Sequence, residues 1–237
     1  MNRFLKLVRG ELVRLQKNKI LPVSAIVSLL WIFVIVFSSA EEMLSLLPML
    51  LVLDAGMLGI IYLAASFYLE KQEGSLKSLF VAPVSGTEIL LAKIAASLIT
   101  GLFSGALLVL AFHFVHKQDV NVLWLFISLV IIVFFHSLLG FAIILNCRDF
   151  AQMLGIYAAY ALLFFLPTVL FLLEIIPGDW EAILLLSPTH SSLILARKAF
   201  MDAELAHVLG ALVFLLALGA GLYFYVQKKF KAHAVQG

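Results

Sequence analysis

The chain has 237 residues, of which 64% are hydrophobic and 13% are charged. Soluble domains contain roughly 45–50% apolar and about 25% charged residues, so this composition excludes an ordinary soluble globule. The formal net charge of +2 gives no indication of a nucleic-acid partner, and the single cysteine, Cys147, excludes an internal disulfide framework and a cysteine-based metal cluster.

Residues 1–19 have an amphipathic helical pattern. Apolar side chains recur at helical spacing, and six lysines and arginines lie largely on the other side of the helix. The apolar residues are Phe4, Leu7, Val8, Leu12 and Leu15. This pattern predicts an interfacial helix on the inner membrane surface, whereas the alternative is a solvated basic flank that only orients the first span.

Six apolar runs follow, at residues 20–39, 43–69, 94–114, 122–145, 153–173 and 207–226. About 20 apolar residues cross the hydrocarbon layer as a helix, and the lipid cannot satisfy open backbone groups. The sequence therefore predicts an all-α membrane protein in which residues 20–237 form one domain of six transmembrane helices.

The positive charges predict the orientation of these six spans. With the N-terminus inside, thirteen of the sixteen lysines and arginines fall in inner segments. The three in outer segments are Lys117, Arg197 and Lys198. Cytoplasmic loops carry such an excess, so we expect a multi-pass protein of the cell membrane with both termini in the cytoplasm.

The inner connection between spans two and three contains a short apolar pattern. Leu76, Leu79 and Phe80 follow helical spacing between Gly74 and Pro83. Since proline disfavours a helical residue before it, the pattern predicts a short helix that ends before Pro83 and presents an apolar knob. Such a knob requires a partner, or else folds back onto the protein's own inner surface or onto lipid.

Asp54 is an acidic residue near the middle of span two. A carboxylate at the bilayer centre costs about 2.5–3.5 kcal/mol on insertion scales, so it should face protein or a watery cavity. The nearby polar candidates are His136 in span four and Tyr62 on the same helix. We expect either a translocation-path group or a protonated packing residue.

Tyr157 and Tyr160 lie one turn apart in span five and are further candidates for the path. Tyrosines at helical spacing are otherwise core residues or interface anchors. Gly101-x-x-x-Gly105 in span three and Ala217-x-x-x-Gly221 in span six permit close helix contact, which we expect within the protomer.

The outer segment before span six is interrupted by polar residues. Its two apolar pieces flank Ser187-Pro188-Thr189-His190, and each is too short to span a bilayer. We therefore predict a segment that lies at the outer interface or re-enters the membrane from it. The simpler alternative is an ordinary interfacial hairpin anchored by Trp180.

The order of these elements resembles the permease subunit of type-2 ATP-binding-cassette exporters, over essentially the whole chain. The first resemblance is Glu70-x-x-Glu73-Gly74-Ser75-Leu76-x-x-Leu79, followed by Pro83-Val84 and Ile89-Leu90-x-x-Lys93. The second is Leu186-Ser187-Pro188 followed by Ala196-Arg197, before the final span.

The resemblance implies a coupling helix that docks on a cytoplasmic ATPase, with contacts from Glu73, Gly74, Leu76, Lys77, Leu79 and Phe80. It also implies a second permease copy, identical or paralogous, and an outer cap that includes Trp180, Pro188 and Arg197. The sequence contains no Gly-x-x-x-x-Gly-Lys-Ser/Thr run, so ATP and Mg²⁺ are expected on a separate ATPase chain. The mostly apolar spans favour a drug, a peptide antibiotic or a lipid-like molecule as cargo.

Two other classes of membrane protein fit the sequence less well. A stand-alone secondary carrier would show internal repeats with broken helices at matching positions, which the sequence does not. An intramembrane enzyme would need paired catalytic residues, but Glu41-Glu42 lies at the outer edge and lacks a following arginine at the required offset. Ser104 likewise lies one residue out of place for a Gly-x-Ser-Gly nucleophile.

Overall fold

The computed structural model describes residues 3–75 and 83–236, with side chains to residue 232. The described chain is all-helical. Its α-helices are α1 (Arg3–Lys17), α2 (Ile20–Phe37), α3 (Ala40–Leu51), α4 (Gly59–Gln72), α5 (Gly86–His116), α6 (Val122–Ile144), α7 (Phe150–Tyr160), α8 (Leu166–Leu172), α9 (Glu181–Leu184), α10 (Pro188–Arg197) and α11 (Leu205–Gln236). Two π-helical segments, Val52–Leu58 and Ala161–Phe165, and a 3-10 turn, Gly178–Trp180, complete the described elements.

Six helices in the described ranges are long and apolar enough to cross a membrane, which confirms the predicted all-α fold with six spans. They are Ile20–Phe37, Ala40–Gln72, Gly86–His116, Val122–Ile144, Phe150–Leu172 and Leu205–Ala232. Spans two and five each contain a π-helical segment, which the apolar pattern does not reveal. In span two, the buried Pro48 precedes this segment and cannot donate a backbone hydrogen bond.

Capping boxes define where spans two and three begin. The Ser39 hydroxyl accepts a hydrogen bond from the Glu42 amide at 3.3 Å, and the Ser39 amide donates to the Glu42 carboxylate at 2.8 Å. Ser85 and Glu88 repeat this arrangement at 3.2 and 2.8 Å before α5. Such reciprocal bonds satisfy amide groups that would otherwise be unpaired at a helix start.

α1 and the C-terminal part of α11 lie at the same end of the helical bundle, called here the termini end. Gln227 of α11 donates a hydrogen bond to Thr87 at the start of α5, at 3.2 Å. The salt bridges of α1 also lie near the start of α5. An even number of spans requires this arrangement.

The two largest apolar cores lie one toward each end of the bundle. The core at the termini end is formed by α4, α5, α6, α7 and α11. It includes Phe67, Leu90, Phe141, Ile144, Met153, Val226 and Phe230. The core at the opposite end joins α2, α3, α5 and α6 and includes Ile35, Met43, Leu47, Leu108, Phe112, Leu125 and Leu129. Together, these two cores include residues from all six spans.

Small residues allow α5 to approach α6 closely. A Cβ atom placed on Gly101 would lie 2.8 Å from Val133, and one on Gly105 would lie 2.8 Å from Leu129. Both neighbours belong to the same chain, which confirms that this pair packs the protomer. A Cβ atom on Gly221 would meet no atom within 4 Å, so the second small-residue pair makes no such approach there.

The segment before span six runs from the end of the bundle opposite the termini toward its middle, and α10 then runs back to that end. Ser187 and Thr189, at the start of α10, donate to the Phe164 carbonyl oxygen at 3.1 and 2.6 Å. Phe164 is eight residues before the end of α8, or roughly 12 Å along a helix. The other end of α10 lies beside the start of α6, where Trp124 donates to the Leu195 carbonyl at 2.9 Å.

Candidate functional site

Four charged side chains meet at the termini end and are called here the charge cluster: Glu11, Arg14, Glu70 and Lys93. Lys93 Nζ lies 2.6 Å from Glu70 and 2.9 Å from Glu11. Arg14 contacts Glu70 at 2.9 Å and Glu11 at 3.2 Å. The two acids and two bases balance in charge and join α1, α4 and α5.

Three members of this cluster are almost completely buried, whereas Arg14 is 22% exposed. The Glu70 side chain has no exposed surface, Lys93 is 3% exposed and Glu11 is 6% exposed. Ser66 adds a hydrogen bond to Glu70 at 3.1 Å. Buried charges are tolerated when paired in this way, but removing one partner leaves an uncompensated charge, at a cost of about 3–5 kcal/mol.

The cluster lies at the base of the predicted coupling segment. Glu70 is in the last turn of α4 and Lys93 is in the second turn of α5, so their ion pair closes the connection between these helices. Lys71 also donates to the Arg148 carbonyl at 3.3 Å, which ties this base to the connection between α6 and α7. A displacement of the segment would therefore act on several helices.

The structure describes only the beginning of the coupling segment. Glu73 ends α4 and is exposed, and Gly74 follows in the left-handed region at φ +71°. Glycine adopts this conformation without a Cβ penalty, so it ends the helix and redirects the chain. The other predicted contacts, Leu76, Lys77, Leu79 and Phe80, lie outside the described residues.

A narrow polar cleft extends from the charge cluster to Asp54. Its volume of about 40 Å³ leaves space for roughly three water molecules. The polar residues along its walls are Glu11, Ser24, Asp54, Tyr62, Ser66, Lys93, Ser97, Thr100 and Ser104. From Lys93 to Ser104 the cleft follows three turns of α5, or roughly 16 Å.

Asp54 lies in the π-helical segment of span two, where it is 5% exposed. Ser104 donates a hydrogen bond to its carboxylate, and Ser28 lies 3.5 Å from the same oxygen and 2.8 Å from Ser104. The expected partners were His136 and Tyr62. The structure corrects this expectation, because serines of spans one and three contact Asp54 instead.

The other residues predicted for the path are not brought to the cleft. His136 is 1% exposed and contacts the Ile132 carbonyl of its own helix at 2.9 Å. Tyr160 is buried and its hydroxyl has no partner among the described residues, whereas Tyr157 is half-buried on α7. A translocation role for these three residues stays a prediction.

The predicted outer-cap residues occupy different positions. Pro188 begins α10 and is buried, Trp180 is 54% exposed, and half-buried Arg197 ends α10. Arg197 lines a small pocket of about 140 Å³ together with Glu181 and His207, which lie 3.3 Å apart. The capping role of this region likewise stays a prediction.

α10 also contains a buried histidine. His190 is fully buried, and neither ring nitrogen has a hydrogen-bond partner within the described chain. Burial, together with the positive charges of Arg197 and His207, lowers the pKa of His190 to about 4. The ring is therefore neutral near pH 7 and packs edge-on against Phe171.

Sequence reasoning did not find the charge cluster, although its residues have a recognisable signal. Glu11 lies on the apolar face of α1, and Lys93 lies between Leu90 and Ile94 in an apolar stretch. A charge in such a position requires a buried partner. Its partner could not be identified from sequence, since Lys93 is 82 residues from Glu11 and 23 from Glu70.

Comparison with known proteins identifies one family. A family model described as ABC-2 type transporter matches residues 3–201, which include α1, the charge cluster, the cleft and α10. No curated protein matches the chain. Within the described residues, no group of three or more His, Cys, Asp or Glu is placed to hold a metal ion.

Proposed function

Because the chain belongs to the ABC-2 type transporter family, we propose that this transmembrane transporter component is the permease of an ATP-driven exporter. A separate cytoplasmic ATPase would bind and hydrolyse ATP with Mg²⁺. The charge cluster is the observation that carries this proposal. It connects the base of the predicted coupling segment with α1, α4 and α5 through contacts of 2.6–3.2 Å.

The cluster is suited to transmit movement of the coupling segment. Ion pairs that are buried and mutually satisfied resist separation, because each charge would lose its partner in a poorly solvated place. A push on the segment would therefore move α4 and α5 together with α1. Since the cleft lies between these helices, the same movement would change the surroundings of Asp54.

A complete path would require a second copy of the permease, identical or paralogous. Spans one and five are the least buried of the six within this chain. Closed two-fold pairs are the commonest oligomers, and exposed spans leave surface for such a contact. The pair would lie in the cell membrane with its termini and the ATPase in the cytoplasm. A drug, a peptide antibiotic or a lipid-like molecule would suit its mostly apolar spans.

The proposal is tested by following the cleft during ATP turnover. A cysteine replaces Thr100 on a Cys147→Ala background, and the tagged chain is purified from its native membranes with its bound ATPase. Thiol labelling is compared with and without ATP and vanadate. We expect labelling to change with ATP, and the Lys93→Met variant to capture the ATPase but lose this change.

Lys228→Met is the matched control, because Lys228 is an exposed lysine at the same end of the bundle. It should retain both the captured ATPase and the ATP-dependent labelling. The proposal would be contradicted by a wild-type chain that captures no ATPase. It would also be contradicted if Lys93→Met responds to ATP as the wild type does.

A further inference from the structure

A second cavity lies on the outside of the bundle between α2 and α5. This groove has a volume of about 420 Å³, within the range of pockets that hold drug-sized molecules. Its wall on α5 is apolar and consists of Ile99, Phe103 and Leu107, of which Phe103 is 65% exposed. Leu12 and Gln16 of α1 close the groove at the termini end.

The groove meets the polar cleft at the level of Ser104. Leu21, Ser24, Thr100 and Ser104 line both cavities. Asp54 lies behind Ser104 on the cleft side, hydrogen-bonded to it. A molecule in the groove therefore has an apolar wall along its length and a carboxylate within reach at its inner side.

The polar groups near this junction lack full partners. Among the described residues, no lysine, arginine or histidine forms an ion pair with Asp54, whose neighbours are the Ser28 and Ser104 hydroxyl groups and the Trp31 side chain. The Tyr62 hydroxyl, which lines the same cleft, is buried without a hydrogen-bond partner in the described chain. A buried acid and an unsatisfied hydroxyl both indicate a polar or charged occupant.

We propose that the groove and the cleft together bind a cationic amphiphile taken from the membrane. Its positively charged head would lie at Asp54, and its apolar tail would lie along Ile99, Phe103 and Leu107. This inference rests on the proposed transport function and deepens it, because it names the class of cargo and the place where each protomer would receive it. The binding step itself requires no ATPase.

Charge complementarity favours a cation over an anionic or zwitterionic lipid. An anionic head would face the Asp54 carboxylate. A zwitterionic head would need a free positive group for its phosphate, but Lys93 and Arg14 are both paired with Glu11 and Glu70. A simple ammonium head needs only the acid.

Binding is measured with the purified chain in phosphatidylcholine nanodiscs, without ATPase or ATP. The probe is a dansyl-labelled alkyl trimethylammonium, compared with the alcohol of the same chain length. The signal is the dansyl emission on direct excitation, above that of protein-free nanodiscs of the same lipid. We expect the cation to bind at least tenfold more tightly than the alcohol.

Asp54→Asn should remove this tenfold preference, whereas Glu41→Gln, an exposed acid at the start of span two, should retain it. Thr100→Trp should weaken binding of both probes, because it fills the junction and leaves Asp54 in place. If Asp54→Asn fails to fold, the inference is tested by whether Thr100→Trp weakens the binding of both probes. Equal binding of cation and alcohol to the wild type would overturn the inference, as would an unchanged preference in a folded Asp54→Asn.

A second copy of the chain could cover the groove instead. A cysteine at Phe103 on the Cys147→Ala background tests this occupant. Efficient disulfide-linked dimers would show that the groove is an interface between copies, and would overturn the inference. Loss of cation binding with an intact ATPase complex would remove this inference alone and leave the proposed function standing.

Discussion

Lys93 joins three helices through its charge. It contacts Glu11 of α1 and Glu70 of α4 from the second turn of α5, and only 3% of its side chain is exposed. The charge at the end of its long side chain is therefore paired within the protein and not solvated. Substitutions in the charge cluster should reveal whether the four residues act as a unit.

Glu70→Gln should destabilise the protein by about 3–5 kcal/mol, because it leaves Lys93 and Arg14 with a single acidic partner in a buried place. Removing one charge of each sign, with Glu70→Gln and Lys93→Met together, should recover part of this loss, because it leaves Glu11 and Arg14 as a pair. Thermal unfolding of the purified variants in detergent measures both effects. Glu41→Gln should change the unfolding midpoint little, because Glu41 is exposed.

An unchanged midpoint in Glu70→Gln would show that the cluster contributes nothing to holding the three helices together. A double variant that is less stable than either single variant would also contradict the ion-pair interpretation. In both cases the buried contacts would be structural neighbours without the coupling that the proposed function requires.

Single residues were only partly predictable. Asp54 was identified because an acid within an apolar span is costly and must be compensated. Its contacts were not, since Ser28 and Ser104 are small residues that occur throughout apolar helices and carry no pattern of their own. Glu11 was overlooked for a related reason, because the strong basic character of residues 1–19 concealed one acid on the apolar face.

α10 is one element that should make the stability depend on pH. His190 within it has a pKa of about 4, compared with 6.5 for an unperturbed histidine. Below pH 6.5 His190 takes up a proton in the unfolded chain but stays neutral in the folded chain. The stability of the fold therefore falls between pH 6.5 and pH 4. At pH 5 this loss amounts to about 2 kcal/mol relative to pH 7.

His190→Phe should reduce the acid sensitivity, because a phenyl ring keeps the edge-on contact with Phe171 and cannot be protonated. The measurement is the difference between the thermal unfolding midpoints at pH 7 and pH 5. His113→Phe is the control, since His113 is exposed, and it should leave the acid sensitivity in place. The same acid shift in His190→Phe and the wild type would assign the effect to another group.

Apolar runs predicted the long elements well, because crossing a bilayer imposes length and composition directly on the sequence. The π-helical segments were not predictable, since they change backbone geometry and leave the apolar pattern intact. α10 was anticipated as a short apolar piece after Pro188. The position of α10 inside the bundle could not be predicted, because it depends on the Phe164 carbonyl. This carbonyl accepts hydrogen bonds from Ser187, Thr189 and Thr168.

For the whole molecule, the excess of positive charge predicts that the termini end faces the cytoplasm. A cysteine at Asp179 should then react with an impermeant thiol reagent in intact cells, whereas one at Gln72 should react only after the cells are opened. Both positions are exposed in the fold. Both cysteine variants are made on a Cys147→Ala background. Burial already raises the pKa of the Cys147 thiol, which reduces its reactivity in the wild type.

The opposite labelling pattern would place the charge cluster and the coupling segment on the outside of the cell. A cytoplasmic ATPase could then not reach the segment. The family assignment would stand, because it rests on the match over residues 3–201. The proposed coupling through residues 73–80 would not.

Coupling to an ATPase is the central claim, and ATP hydrolysis that co-purifies with the tagged chain tests it most directly. In the Leu79→Asp, Phe80→Asp double variant, two carboxylates would enter an apolar contact without partners, at a cost of several kcal/mol. We expect the wild-type chain to carry bound ATPase and measurable hydrolysis, and the double variant to lose both while expressing normally. Retention of the bound ATPase and of its hydrolysis in the double variant would contradict the account.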